Sequence, residues 1–104
     1  MAAKWVVLWN LPEGTAVEEW ERWYWEQHVP LAKRLPGMTR YTATRCVRTA
    51  YGNGYYRMAE QYFPSLEALE AAVASPQGQA VAADAGPYVI DLVLMVTEER
   101  EVQL

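Results

Sequence analysis

The sequence is short of several things, and each shortage removes a class of function. Among its 104 residues there is one cysteine, Cys46, and one histidine, His28. A single cysteine excludes an intramolecular disulfide framework and any multi-cysteine zinc site. One histidine among scattered carboxylates is a poor donor set for a transition metal, so no metal site is expected. No run of Lys and Arg interrupts a net charge of −4, which leaves no basic footprint for nucleic acid. No apolar stretch approaches the roughly 20 residues of a membrane span. Met1–Asn10 lacks a secretory core and cleavage site, and a cytoplasmic protein without membrane association is expected. A phosphate-cradling loop, a dinucleotide fingerprint and a nucleophile elbow are also missing, and no cofactor is expected.

What is present suffices for one packed core. Hydrophobic residues make up 52% and charged residues 21%, so the chain reads as one domain over residues 1–104. Ala3–Asn10 is strand-like, with Trp5, Val7 and Trp9 on one face and Val6 and Leu8 on the other. Thr15-x-x-Glu18 has the pattern of a capping box. It opens a helix in which Val17, Trp20, Tyr24 and His28 share a face, and Pro30 predicts its end near His28. Met38–Arg48 and Tyr55–Phe63 read as two strands joined through Gly52-Asn53-Gly54. Ser65 is placed to cap a second helix, and Ser75-Pro76 starts a short continuation. After Gly86-Pro87, Tyr88–Thr97 is a final strand that is apolar on both faces.

The order β-α-β-β-α-β predicts a ferredoxin-like α+β fold, an antiparallel four-stranded sheet with helices on one face. The first and last strands leave the other face apolar, which water does not cover well. A second copy laid against that face is the expected remedy, giving a homodimer.

Few residues are placed to carry chemistry. His28 extends the inward stripe of the first helix, where an imidazole fits two roles: a satisfied cap on the helix end, or a proton-transfer group in a pocket. Asp84 stands near the end of a helix, where the dipole disfavours a carboxylate. It is either an ordinary surface aspartate or a group that fixes the tautomer of His28 and raises its basicity. Trp25, Tyr41, Glu60 and Tyr62 are amphipathic or polar residues in elements that otherwise read as core, and they are candidates for the lining of a ligand site.

Tyr24-Trp25-Glu26-Gln27-His28-Val29-Pro30-Leu31, followed by Leu35-Pro36-Gly37-Met38 and Tyr41, resembles the EthD family. So does Ala59-Glu60-Gln61-Tyr62-Phe63-Pro64-Ser65-Leu66 with Leu69, Ser75-Pro76 and Asp84. The resemblance spans nearly the whole chain, and its specific part is Trp-x-x-His-x-Pro-Leu with Leu-Pro-Gly. It implies a dimeric α+β barrel of ferredoxin-like protomers. The family is named after a bacterial ether-degradation gene cluster. The superfamily includes muconolactone isomerases, cofactor-independent and haem-degrading monooxygenases, and polyketide cyclases, among which fold analogy cannot choose. The expected function is a small-molecule enzyme, an isomerase, cyclase or oxidoreductase, in which His28 moves a proton on a planar enolisable or phenolic substrate. The alternatives are a non-catalytic module holding a hydrophobic ligand, and haem binding with His28 as axial ligand.

Overall fold

The computed structural model describes residues 2–104. β1 (Ala3–Asn10) is followed by a helical stretch in three parts: α1 (Val17–Trp23), a π-helical segment (Tyr24–His28) and α2 (Val29–Ala32). β2 (Arg40–Arg45) and β3 (Arg57–Phe63) come next, then α3 (Leu66–Ala74), α4 (Pro76–Ala85), a single 3₁₀ turn (Gly86–Tyr88) and β4 (Ile90–Glu98). The four strands form one sheet in the order β2-β3-β1-β4, and every neighbouring pair is antiparallel. This is the ferredoxin-like α+β arrangement. The barrel expectation is corrected: β2 and β4 are opposite edges, separated by β3 and β1, and the sheet does not close. Four strands are too few to curl into a barrel around packed side chains.

The helical stretch does not stop at Pro30. Proline cannot donate to a carbonyl four residues back and its ring crowds that carbonyl. The chain accommodates this by widening the turn just before it, where the Val29 amide donates to the Tyr24 carbonyl five residues earlier. Helical geometry then resumes with Pro30 in the first turn of α2, a position that tolerates it. His28 is therefore inside a helical run, not at its end, and does not cap it. The capping box is also not formed. Ala16 is the N-cap of α1, and the Thr15 hydroxyl donates to the Pro12 carbonyl at 2.6 Å. Ser65 does cap α3, accepting from the Ala68 amide, and Ser75 caps α4, accepting from the Gly78 amide.

Register assigns each strand residue to a face, because paired residues share a side and neighbours alternate. Trp5 lies opposite Gln61 and Val96, Val7 opposite Ala59 and Leu94, and Tyr41 opposite Gln61. These residues face the helices. Trp9, Trp20, Trp23, Tyr24 and Ala59 form one buried cluster, and Ala3, Phe63, Leu69 and Ala72 form a second. Trp20 stacks on Tyr24, with ring centroids 5.1 Å apart, and its indole N–H donates to the Tyr88 carbonyl at 2.8 Å, tying α1 to the 3₁₀ turn. The opposite face carries Lys4, Val6, Leu8, Met58, Glu60 and Tyr62. Cys46 lies one residue beyond β2, partly buried, with its amide bonded to the Tyr56 carbonyl. No helix among the described residues is long and apolar enough to cross a membrane.

Candidate functional site

Between the helices and the sheet lies a cavity of about 170 Å³. Its walls are apolar: Trp5, Val7 and Ala59 from the sheet, Val81 and Ala82 from α4, and Leu92 at the β4 edge. Only a few polar groups reach it, among them His28, Tyr41 and Gln61. A largely apolar concavity with a few convergent polar groups is the ordinary form of a small-molecule site.

The π-helical segment positions the histidine. Its ring lies 5.0 Å from the Trp23 ring and 5.7 Å from Tyr24, so two aromatic neighbours fix its orientation. Nδ1 of His28 is 3.0 Å from Oδ2 of Asp84, and both side chains are almost covered, 12% and 13% exposed. Asp84 reaches this place from the last turn of α4. Its second oxygen accepts from the Gln27 amide nitrogen at 2.6 Å, so both carboxylate oxygens are engaged. A carboxylate facing Nδ1 favours the tautomer with the proton there, which leaves Nε2 free to accept one. Tyr41 lines the same cavity. Burial pushes its phenol, and that of Tyr24 beside it, above the usual range, so both are neutral O–H groups near pH 7. The Tyr24 hydroxyl is buried and makes no hydrogen bond to any described residue.

The structure thus brings His28 and Asp84 together, and His28 and Tyr41 line the same cavity. It places the other three candidates elsewhere. Glu60 and Tyr62 alternate with Gln61 on β3 and point to the helix-free face, where Lys4 pairs with Glu60 at 2.7 Å and lies over the Tyr62 ring. Trp25 is half exposed on the outer side of the helical run, and its indole N–H donates to Glu21 at 3.4 Å. Sequence reading passed over Gln61, which is 5% exposed and faces the cavity, and Gln27, which holds Asp84. A usable signal for Gln61 existed: it alternates with Ala59 and Phe63, and a small residue between larger ones marks a face pressed against a bulky aromatic layer. Among the described residues no three His, Cys, Asp or Glu side chains gather as a metal-binding group.

Fold and cavity together define a ferredoxin-like α+β protein with an apolar cavity between helices and sheet. Residues 12–90 match the EthD domain, and the chain belongs to the EthD family. It is 32% identical over 100 residues to an uncharacterized 11.0 kDa protein of Rhodococcus erythropolis, encoded in the thcB-thcC intergenic region, covering 94% of each chain. An EthD-family protein from Bacillus halodurans, solved as a crystal structure, is 30% identical with a TM-score of 0.84, covering 96% of this chain and all of that one. Two more distant crystal structures share the fold. A dimeric ferredoxin-like protein of unknown function from Thermobifida fusca is 18% identical with a TM-score of 0.69, covering 93% of this chain and 90% of that one. SnoaB, a cofactor-independent oxygenase from Streptomyces nogalater, is 17% identical with a TM-score of 0.70, covering 97% and 95%.

Proposed function

We propose that this EthD-family protein is a small-molecule enzyme in which His28 transfers a proton on a planar enolisable or phenolic substrate. One observation carries the reading: the imidazole that lines the apolar cavity is the one held by a largely covered carboxylate. In this reading Nε2 of His28 takes a proton from an acidic C–H or O–H of the bound substrate. Asp84, itself held by Gln27, keeps Nδ1 protonated and offsets the charge that develops on the ring. Tyr41 donates to the oxygen on which negative charge appears, and the apolar walls bind the flat hydrocarbon part and exclude water. Isomerisation, cyclisation and reaction of the carbanion with oxygen all begin with this step. The cofactor-independent oxygenase of the same fold is consistent with the last of these, as a matter of fold alone.

The test reads proton transfer directly. In deuterium oxide, exchange at the acidic carbon of 2-tetralone, an enolisable ketone fused to a flat aromatic ring, is followed by NMR with and without the protein. The expected result is protein-dependent exchange that falls by about 10²–10⁴-fold in His28→Ala. Binding of the probe with exchange unchanged in that variant would reduce the site to a ligand-holding cavity.

A second copy belongs to the same proposal. Leu92, Leu94, Met95 and Val96 of β4 are 42–50% exposed, an apolar edge uncommon on a monomer. Burying it against a partner gives a homodimer. Sedimentation at micromolar concentration showing only an 11.9 kDa species would overturn this part.

A further inference from the structure

Charge along this chain is segregated. Between Gln27 and Ala59 lie Lys33, Arg34, Arg40, Arg45, Arg48 and Arg57, six of the nine basic residues, and none of the thirteen acids. The fold turns that segregation into geometry. The basic stretch supplies one edge strand, β2, and the connection from it to β3. The other edge, β4, runs into Glu98, Glu99 and Glu101, with one base, Arg100, among them. Each end also shows apolar side chains to solvent: Val47 is 92% and Tyr51 99% exposed on the connection, and Val102 is 75% exposed beyond β4. Among the described residues, no ion pair engages Arg45, Arg48, Glu98 or Glu101, whereas Glu99 meets Lys4 at 3.1 Å.

We infer that the acidic segment Glu98–Leu104 of one copy docks on the basic β2–β3 connection, Arg45–Tyr51, of a second copy. Glu98 and Glu101 meet Arg45 and Arg48, while Val102 and Leu104 cover Val47 and Tyr51. The inference rests on the homodimer reading above. Docking within one chain is out of reach. Glu98 pairs with Ala3 at one end of β1, whereas Arg45 aligns with Arg57 and Trp9 at the other end. That separation is about 20 Å along the strands and about 14 Å across three strand spacings, roughly 25 Å in all. The six residues after Glu98 span at most about 20 Å, and they leave the sheet at the far end. The two patches are complementary and every copy carries both, so a two-fold dimer makes the contact twice.

The test uses two charge-reversed full-length chains, one carrying Glu98→Lys and Glu101→Lys, the other Arg45→Glu and Arg48→Glu. Sedimentation equilibrium is expected to show each reversed chain dimerising at least about 10-fold more weakly than wild type. An equimolar mixture should regain wild-type affinity, because in the heterodimer every acid again faces a base. Wild-type dimerisation should also weaken in 1 M salt. Near-UV circular dichroism of the tryptophan cluster reports folding. If a reversed chain loses that signal, Glu98→Gln with Glu101→Gln takes its place, with a smaller weakening expected. A wild-type dimer indifferent to either reversal, or a mixture that fails to recover, would overturn the docking and leave the homodimer standing. A wild-type monomer would overturn both.

Discussion

Two acid–base pairs lie on the helix side of the sheet, and their surroundings differ. Arg57 is 4% exposed, and its Nη2 donates to both oxygens of Glu21 at 2.7 and 2.9 Å. Tyr56 donates to the same carboxylate at 2.8 Å, and the guanidinium lies 4.9 Å from the centre of the Tyr24 ring. Neither residue lines the cavity, and the open side of Glu21 faces solvent. In the His28–Asp84 pair both side chains are largely covered, yet the imidazole borders the apolar cavity. A buried charge pair with no room for a ligand fixes how the elements pack. One beside a cavity can act on what enters it. Burial and pairing alone do not separate these roles; the adjoining space does.

The contrast can be broken most severely at Arg57. Arg57→Met keeps the stem and leaves Glu21 without its cation. A loss of about 3 kcal/mol in urea unfolding is expected, at the low end for a broken buried pair because Glu21 is partly hydrated. A loss under about 1 kcal/mol would mean that the pair does not organise the core.

At the other pair the effect should fall on chemistry instead. Asp84→Asn keeps the shape and removes the charge that holds the imidazole. Proton exchange on the ketone probe is expected to drop about 10–100-fold, with stability changed by no more than about 1 kcal/mol. A stability loss matching that of Arg57→Met, with exchange intact, would make the two pairs alike.

The pH dependence sharpens the same difference. Burial pushes the Glu21 carboxyl up, but the Tyr56 and Arg57 hydrogen bonds more than offset this and hold it below its ordinary value of 4.5. A depressed folded value means the contribution is complete above the unfolded value and is lost as pH falls through the folded one. Urea midpoints of the wild type should therefore decline below about pH 4.5 by more than those of Glu21→Gln. Parallel curves would remove Glu21 from acid stability.

The smallest effect is expected on the helix-free face. Glu60→Gln loosens a partly covered pair with Lys4 on the helix-free face and touches nothing in the cavity. It should change stability by less than about 1 kcal/mol and leave probe exchange as it is. A large fall in exchange would restore Glu60 to the site.

Much of this was legible in the residues. The boundaries of β1, the cap at Ser65, the restart at Ser75-Pro76 and the order of elements follow from local rules: alternation, a hydroxyl cap and proline at a first helical position. His28 and Asp84 were legible as oddities, polar residues where periodicity or the helix dipole called for something else. What failed shares one cause. Whether Glu60 and Tyr62 or Ala59 and Gln61 face the helices depends on which side of β3 the helices occupy, and an alternating strand is equally regular from either side. Pro30 stopping the helix was a local rule overridden by packing, since the π turn keeps Tyr24, His28 and Ala32 against the core. Barrel closure depends on strand count and edges, which lie beyond any local pattern.

Local patterns therefore sufficed for the order of strands and helices and for the family, because these rest on neighbours a few residues apart. Tertiary structure alone decided which face of β3 looks inward, that Gln27 and Gln61 join the site, and that residues 28 and 84 meet at 3.0 Å. Those depend on how separate elements stack, and a side chain's direction acquires meaning only once something is packed against it.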